Sequence, residues 1–563
     1  LAIPGLTHGL CISVIATQGS NLKVLFYRNE CVSPKLKRFF NIFYQLRHLH
    51  MTNIFKYCHE IYSKHKIYFH VFIFFWALFA LTNTGSDNSE GLFHYQVAYQ
   101  IIKHGQLGFD TPQLGIFQIA PNGRTYAGHE IGNTLFMLPT AFINVLLENL
   151  FSRFLSLEKI EMLQKFILSF QASVYSALTA TTFFAILRTR FSQAKIPSFL
   201  ATLCLALTTY FWTYSRILFD GVLCTTLLTL SFFLLLSYRQ KNNWWYLFGC
   251  FICLGFALIT RISMILAILV TFAYLLNYYK PIATRFREIV LGLVTLVPFI
   301  LWQCWYNYLR TGIFYKSPVQ TAVYASNNAL DGNIFVGIAG LLFSPGKSIF
   351  VYAPLVILSI LLFKKFYKEH RQEAIYIAAL TVLWFLLHAK LRSWYGAWGW
   401  GPRLFLSILP FLFLPFAVNL EYLLQKKALK ISTIFLGSFG FLLSLSSIIS
   451  NWHFRLEYAT QRGMVSDNVF IWGFWNSQSV DMLKGAFGNI ARIITHAPII
   501  TIKDSYSEAN EYASSTINIW LNSFIYAGIP WYAALILVIP LLILMYSSIQ
   551  KIFSSPARDR LRT

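Results

Sequence analysis

The apolar and polar positions of this chain come in blocks rather than in the short alternations of a soluble fold. Apolar runs lie at 67–84, 166–187, 197–214, 218–237, 244–260, 262–279, 287–307, 348–364, 373–389, 403–420, 430–450 and 529–549, separated by polar or basic stretches. A helix needs roughly 20 apolar residues to cross the hydrocarbon core of a bilayer, and most of these runs approach that length. The pattern predicts an all-α polytopic membrane protein with about 12 transmembrane helices, in a range of roughly 11 to 13.

The polar blocks decide the threading. With the N-terminal end in the cytoplasm, the loops holding Arg188, Arg190 and Lys195, then Arg239 and Lys241, then Lys280, Arg285 and Arg287 all fall inside. So do those with Lys364, Lys365 and Lys368, those with Lys426, Lys427 and Lys430, and the tail with Arg558, Arg560 and Arg562. An excess of Lys and Arg in short cytoplasmic loops is what orients membrane proteins. One further run, Gly132 to Leu150, would invert every later loop if it crossed. Asn133, Pro139 and Asn144 interrupt it, so a juxtamembrane or re-entrant helix packed on protein is expected there. Three segments then lie outside, at 85–165, 308–347 and 451–528.

Composition supports the same class. The chain is 56% apolar and only 12% charged, with a mean hydropathy of +0.54, whereas soluble domains carry about 25% charged residues. A net charge of +24 would point to nucleic acid in a soluble protein. Here the cytoplasmic loops absorb most of it, and no nucleic-acid partner is expected. The 8 cysteines are scattered, and the close pair Cys250 and Cys253 sits in the apolar stretch LFGCFICLGF, which reads as membrane packing rather than a redox or zinc motif. Residues 1–50 read as an N-terminal extension that need not be native, because Met51 opens the coherent part of the chain and reads as the natural start. From there 51–450 form one transmembrane module including the first external loop 85–165, 451–528 form an external cap, and 529–563 hold the last span and a basic tail.

Two carboxylates, Asp87 and Glu90, stand immediately after the first span. Ser89 is placed to cap a helix beginning near Gly91, whose Phe93, Val97, Ala98, Ile101 and Ile102 form one apolar face, so the helix is expected to lie in the interface plane with the carboxylates at its start. A carboxylate held at the water–lipid boundary can take a proton from an acceptor nucleophile. It can equally be the solvated end of a loop. Arg216, Arg261, Arg310, Lys316, Lys347, Lys390, Arg392 and Arg403 break the positive-inside pattern by falling at external ends of spans. Such cations suit a phosphorylated head group, and each alone also suits a snorkelling interface residue. Two external stretches, GLLFSPGKSIFVYAP at 340–354 and KLRSWYGAWGWGPRLFLSILP at 390–410, add glycines and aromatics to this signal.

Several short motifs carry a family likeness. They are the acidic residue after the first span, a helix with Tyr95, Ala98, Ile102 and Gly105 in register, the segment Asn122 to Pro139, the SPGK segment and the WGPR segment. Together they resemble membrane glycosyltransferases of the GT-C superfamily, similar to protein O-mannosyltransferases and lipid A aminoarabinose transferases, over most of Met51 to Ser450.

The resemblance implies a polyprenyl-phosphate-linked sugar donor, a glycan, lipid or protein acceptor, and a multi-pass cell-membrane enzyme whose active site faces the periplasm or exterior. It implies a first-loop carboxylate as catalytic base. Counting back from Gly105 selects Glu90, whereas Asp87 lies nearer the span, so both are candidates with Asp87 slightly ahead. Arg403 is the first candidate for the donor phosphate, followed by Lys347 and Arg261, with Arg392 and Lys390 behind them. Substrate contacts are expected from Tyr95, Tyr126, His129, Glu130, Asp220, Tyr395, Trp398 and Trp400.

The expected reaction is attack of an acceptor hydroxyl or amine on the anomeric carbon with a phosphate leaving, so no protonated general acid is required. No spacing characteristic of a dedicated metal site is visible, so no cofactor is expected, with a divalent metal left open. Rival readings are a transporter or flippase of lipid-linked sugars and an O-antigen polymerase or ligase. The first would place its ionisable groups near the bilayer midplane and show repeated halves. The second would carry its principal external loop late in the chain.

Overall fold

The structure, a computed structural model, describes residues 63, 65–85, 90–111, 113, 117–277, 281–318, 330–397, 399–503, 512–522 and 530–554. The description below concerns the unit Ile67–Thr563. Asp87, Ser89, Trp398, the extension 1–50 and the tail residues Arg558, Arg560 and Arg562 lie outside the described residues.

The apolar runs fold as helices, wholly or in large part. In chain order come α1 (His65–Leu81), α2 (Glu90–His104), a hairpin of β1 (Phe117–Ile119) and β2 (Thr125–Ala127), and α3 (Gly132–Phe151). They are followed by α4 (Leu157–Thr189), α5 (Lys195–Leu207), α6 (Phe211–Tyr214), α7 (Asp220–Lys241), α8 (Trp244–Thr260), α9 (Ile265–Leu276) and α10 (Ile282–Thr311). Then come α11 (Ile334–Phe343), α12 (Ile349–Tyr352), α13 (Val356–Glu369), α14 (Arg371–Ala389), α15 (Leu409–Val418), α16 (Leu420–Gln425) and α17 (Lys427–Ile449). The late segment contributes α18 (Trp452–Gln461), α19 (Gln478–Thr495) and a second antiparallel hairpin, β3 (Thr501–Lys503) with β4 (Tyr512–Ser514), before α20 (Trp531–Ser554).

Among the described helices, 7 are long and apolar enough to cross a membrane by length and composition: α3, α4, α7, α10, α14, α17 and α20. Others fall short because their runs are divided. The run at 348–364 breaks around Pro354 into α12 and α13, and the run at 403–420 opens as a 3-10 turn, Arg403–Ile408, before Pro410 starts α15. Proline removes a backbone donor and is best tolerated at a helix start.

The stretch 132–150, expected as a juxtamembrane or re-entrant helix, is the continuous 20-residue α3, with Pro139 inside it. The amides of Asn133 and Asn144 donate to partners outside the helix, while their side-chain oxygens are buried without a hydrogen-bond partner. Asn133 donates to Asp220 Oδ1 at 2.9 Å and Asn144 donates to the Tyr95 hydroxyl at 2.8 Å. That second bond also shows what α2 rests on. The buried face of α2 includes His94, Tyr95 and Ala98, and it packs on α3.

Lipid supplies no hydrophobic drive for one helix to seek another, so close packing and interhelical hydrogen bonds must hold the bundle. The contact of α4 with α7 shows both. Ser173, Ser176, Ala177, Thr179 and Ala180 on α4 are buried, and Thr179 and Thr226 share a 2.9 Å hydrogen bond. Two cations act as internal staples. Arg216 donates to the carbonyls of Thr82 and Asn518 and, at 3.1 Å, of Ser447, joining the ends of α1 and α17 to the late segment. Arg310 donates to the carbonyls of Ala127, Gly128 and His129 at 3.2, 3.2 and 2.7 Å and pairs with Glu130 at 3.1 Å.

Candidate active site

Glu90 is the first residue of α2, and the start of that helix is pressed against the chain that leads into α7. A Cβ built on Gly91 would lie 2.3 Å from both the Cβ and the carbonyl oxygen of Leu218. Only glycine permits that approach. It brings Glu90 to the side of the bundle where the 3-10 turn Arg403–Ile408 begins. Arg403 Nη1 lies 2.7 Å from Glu90 Oε1, with the two side chains 17% and 23% exposed. The Arg403 guanidinium also covers the Phe219 ring at 5.2 Å. Burial pushes the Glu90 carboxyl up, but Arg403 and His129 together outweigh it and leave the group below the ordinary carboxylate value.

The loop before Arg403 is built around that side chain. A Cβ on Gly399 would lie 2.4 Å from Arg403 Cδ, and Gly396 and Gly401 adopt positive φ of 71° and 57°. Lys347, fully buried, donates to the carbonyls of Ala397 and Gly399 at 3.2 and 2.5 Å. Burial and the nearby Arg403 hold its ammonium well below the ordinary lysine range. From the late segment, Gln478 accepts from the Gly401 amide at 3.1 Å and donates to the Gly399 carbonyl at 3.2 Å. Tyr214 completes the support by donating to the Trp400 carbonyl at 2.8 Å.

On the other flank of Glu90, Asp220 opens α7 and pairs with His94 at 2.9 Å. His129 stands beside them, its ring centroid 5.1 Å from that of His94. One ligand-type atom from each of these three residues lies within 4.8 Å of the others. Burial and His94 hold the His129 imidazole below its ordinary value against the opposing pull of Asp220, Glu90 and Glu130. Arg261, at the end of α8, approaches the position of Gly221 to 3.7 Å from its built Cβ, and its Nη1 is buried without a hydrogen-bond partner.

The residues singled out in the sequence therefore divide. Glu90, Arg403, Arg261, Lys347, His129 and Asp220 come together in one region, although Lys347 directs hydrogen bonds to loop carbonyls. Tyr95 faces Asn144 between α2, α3 and α4, and Tyr126 accepts from Asn122 at 3.0 Å within the first hairpin. Glu130 is the buried partner of Arg310 and accepts from Ser317 at 2.6 Å. Lys390 and Arg392 are exposed, and Tyr395 is half-buried beside Trp394. Trp400 is buried edge-on to Tyr352 at 4.9 Å. His94, Tyr214 and Gln478 carried no signal in the sequence, and Asn133 only that of a polar break in an apolar run, because each acts through a partner remote in the chain.

Residues 157–305 match the family described as dolichyl-phosphate-mannose-protein mannosyltransferase, a segment that includes Asp220 and Arg261. No curated protein matches the chain. Among solved structures, ArnT from Cupriavidus metallidurans in the apo state is 10% identical, covers 88% of this chain and 76% of its own, and has a TM-score of 0.45. The same protein bound to undecaprenyl phosphate gives 12%, 87%, 78% and 0.44 for the same quantities. The oligosaccharyltransferase AglB from Archaeoglobus fulgidus, in complex with an inhibitory peptide and a dolichol-phosphate, gives 12%, 68%, 55% and 0.36. The family segment at 157–305 and the motifs on either side of it carry one likeness, to the GT-C superfamily of membrane glycosyltransferases.

Proposed function

We propose that this protein is an integral-membrane glycosyltransferase that moves a sugar from a polyprenyl-phosphate carrier to an acceptor hydroxyl or amine on the non-cytoplasmic face. The observation that carries the reading is the 2.7 Å pair of Glu90 and Arg403 at the start of α2, with the unpartnered Nη1 of Arg261 in the same region. A candidate proton acceptor and candidate phosphate-binding cations are thereby gathered at one site, which supports the reading.

The acceptor oxygen or nitrogen attacks the anomeric carbon, the bond from that carbon to the phosphate oxygen breaks, and its electron pair leaves on the phosphate. The acceptor proton passes to Glu90. Arg403 has two tasks in sequence. Before the donor arrives it keeps Glu90 ionised. A donor phosphate then competes for the guanidinium, and a carboxylate released from its cation becomes a stronger base. Charge on the leaving phosphate grows as its bond to the sugar breaks, so Arg403 and Arg261 stabilise the transition state more than the bound donor. Asp87, slightly ahead in the sequence reading, lies three residues earlier, outside the described residues, and remains a candidate base beside Glu90.

Lipids copurifying with the protein, identified by mass spectrometry, name the donor. The reconstituted protein is then assayed with that donor against Glu90→Gln, Asp87→Asn and the double variant. Loss of transfer with normal membrane insertion supports the reading. Full transfer by the double variant removes the proposed base.

A further inference from the structure

Beside Glu90 lies a constellation that the transfer chemistry above does not use. His94 sits one turn into α2, His129 follows β2, and Asp220 opens α7, so three separate stretches of chain supply it. His94 and Asp220 face one another, although His94 Nε2 is itself buried without a hydrogen bond. His94 Nε2 is 2.9 Å from Asp220 Oδ1, its Nδ1 is 3.2 Å from Thr134 Oγ1, and Asp220 Oδ1 also accepts from Asn133 at 2.9 Å. His129 shares that want of a hydrogen bond. Its Nε2 is buried and has no hydrogen-bond partner, although a buried ring nitrogen left unsatisfied is costly. The backbone carrying it is nevertheless held in place, because Arg310 grips its carbonyl at 2.7 Å.

We propose that His94, His129 and Asp220 bind one divalent cation of the zinc class. The three ligand-type atoms already lie within 4.8 Å of one another, and a cation among them would occupy the His129 nitrogen that the protein leaves unused. The donor set selects the ion. Two imidazoles and one carboxylate suit zinc or another borderline first-row metal, whereas magnesium and calcium take oxygen ligands. Thr134 on the far nitrogen of His94 and the Asn133 amide on Asp220 are the outer contacts that orient metal ligands. Glu90 and Glu130 add negative charge around His129, and Arg261, which faces Asp220, partly offsets it. Three protein ligands leave a coordination position for water or a substrate oxygen.

The test uses the full chain purified in detergent, stripped with a chelator, and titrated with zinc chloride while bound metal is counted by mass spectrometry. About one zinc ion per chain is expected, and cobalt in its place should give the intense visible absorption of a low-coordinate site. His129→Gln is the decisive variant, because it removes a nitrogen with no partner and disturbs no side-chain hydrogen bond. It should weaken zinc binding about a hundredfold or more, a ligand's loss costing at least what an outer-contact loss costs. Zinc should raise the melting temperature of the parent protein and not of His129→Gln, and magnesium should raise neither. Absence of stoichiometric zinc, equal binding by His129→Gln (an adventitious ion only), or magnesium binding as tightly as zinc would each overturn the site. Every one of these readouts is independent of sugar transfer.

Discussion

Arg310, in the last turn of α10, donates to the backbone carbonyl of His129 over 2.7 Å, so a fully buried cation on one span fixes where a loop residue of the candidate active site stands. The same guanidinium pairs with Glu130 at 3.1 Å and lies 3.9 Å from the Tyr306 ring centroid. Arg310→Leu strands Glu130 as a buried charge and leaves three carbonyls without donors. A loss of about 3–5 kcal/mol is expected, the usual cost of breaking a buried pair from one side. Adding Glu130→Gln to Arg310→Leu should recover part of it, a non-additivity that a double-mutant cycle on detergent unfolding curves measures directly.

Glu90→Gln keeps the shape of the side chain and removes its capacity to take a proton. Sugar transfer should fall by about 10²–10⁴-fold, the range for a positioned general base. Yield and gel-filtration profile should match the parent. Arg403→Lys retains a charge without the planar fork, and it should fall between the parent and Glu90→Gln in the same assay.

The Glu90 carboxyl lies below its ordinary value in the folded protein, because Arg403 and His129 outweigh its burial. An acid with a depressed folded-state value contributes stability that is fully present above its unfolded value and lost as the pH falls through the folded one. The difference in stability between the parent and Glu90→Gln should therefore be constant from neutral pH down to the ordinary carboxylate range and shrink only below it. A difference that grows on acidification would contradict the assignment.

Gly91→Ala is a test of geometry rather than charge. The added methyl meets the Leu218 backbone and Cβ at 2.3 Å, so α2 must move away from α7. Overpacking of this kind costs about 1–3 kcal/mol. The functional effect should exceed the loss of stability, because Glu90 is displaced from Arg403 by the same motion. Transfer rates and melting temperatures measured on the one variant separate the two.

Arg261 offers the opposite case. Its Nη1 has no hydrogen-bond partner, so Arg261→Gln should leave the melting temperature close to the parent's. The Michaelis constant for the lipid-linked donor should rise and kcat should fall, as expected when a phosphate contact strengthens in the transition state. A variant with parental kinetics would remove Arg261 from the donor site.

The helical architecture was legible because a membrane span writes itself into a single local block of sequence, and α2 was legible because its apolar face and flanking carboxylates are contiguous. The continuity of α3 was not. Asn133 and Asn144 looked like interruptions until Asp220 and Tyr95 supplied partners from other helices. The external cations were ambiguous for a chemical reason. A guanidinium offers five donors that serve backbone carbonyls as well as phosphate oxygens. Arg216 and Arg310 spend theirs on carbonyls, whereas Arg261 keeps one in reserve. Nothing in the order of residues distinguishes those fates. Likewise His129 and Asp220 could be named singly, but their convergence with His94 from three elements leaves no motif spacing to announce it.

The chain through Gly399 and Gly401 is clamped from two directions, by the ammonium of Lys347 on one side and the amide of Gln478 on the other. A stretch moored twice cannot swing as a flap. It forms a fixed wall, and Arg403 behind it keeps a constant bearing while ligands come and go. Loosening either mooring, at Lys347 or at Gln478, should therefore reach Glu90 through Arg403 without touching either residue of that pair.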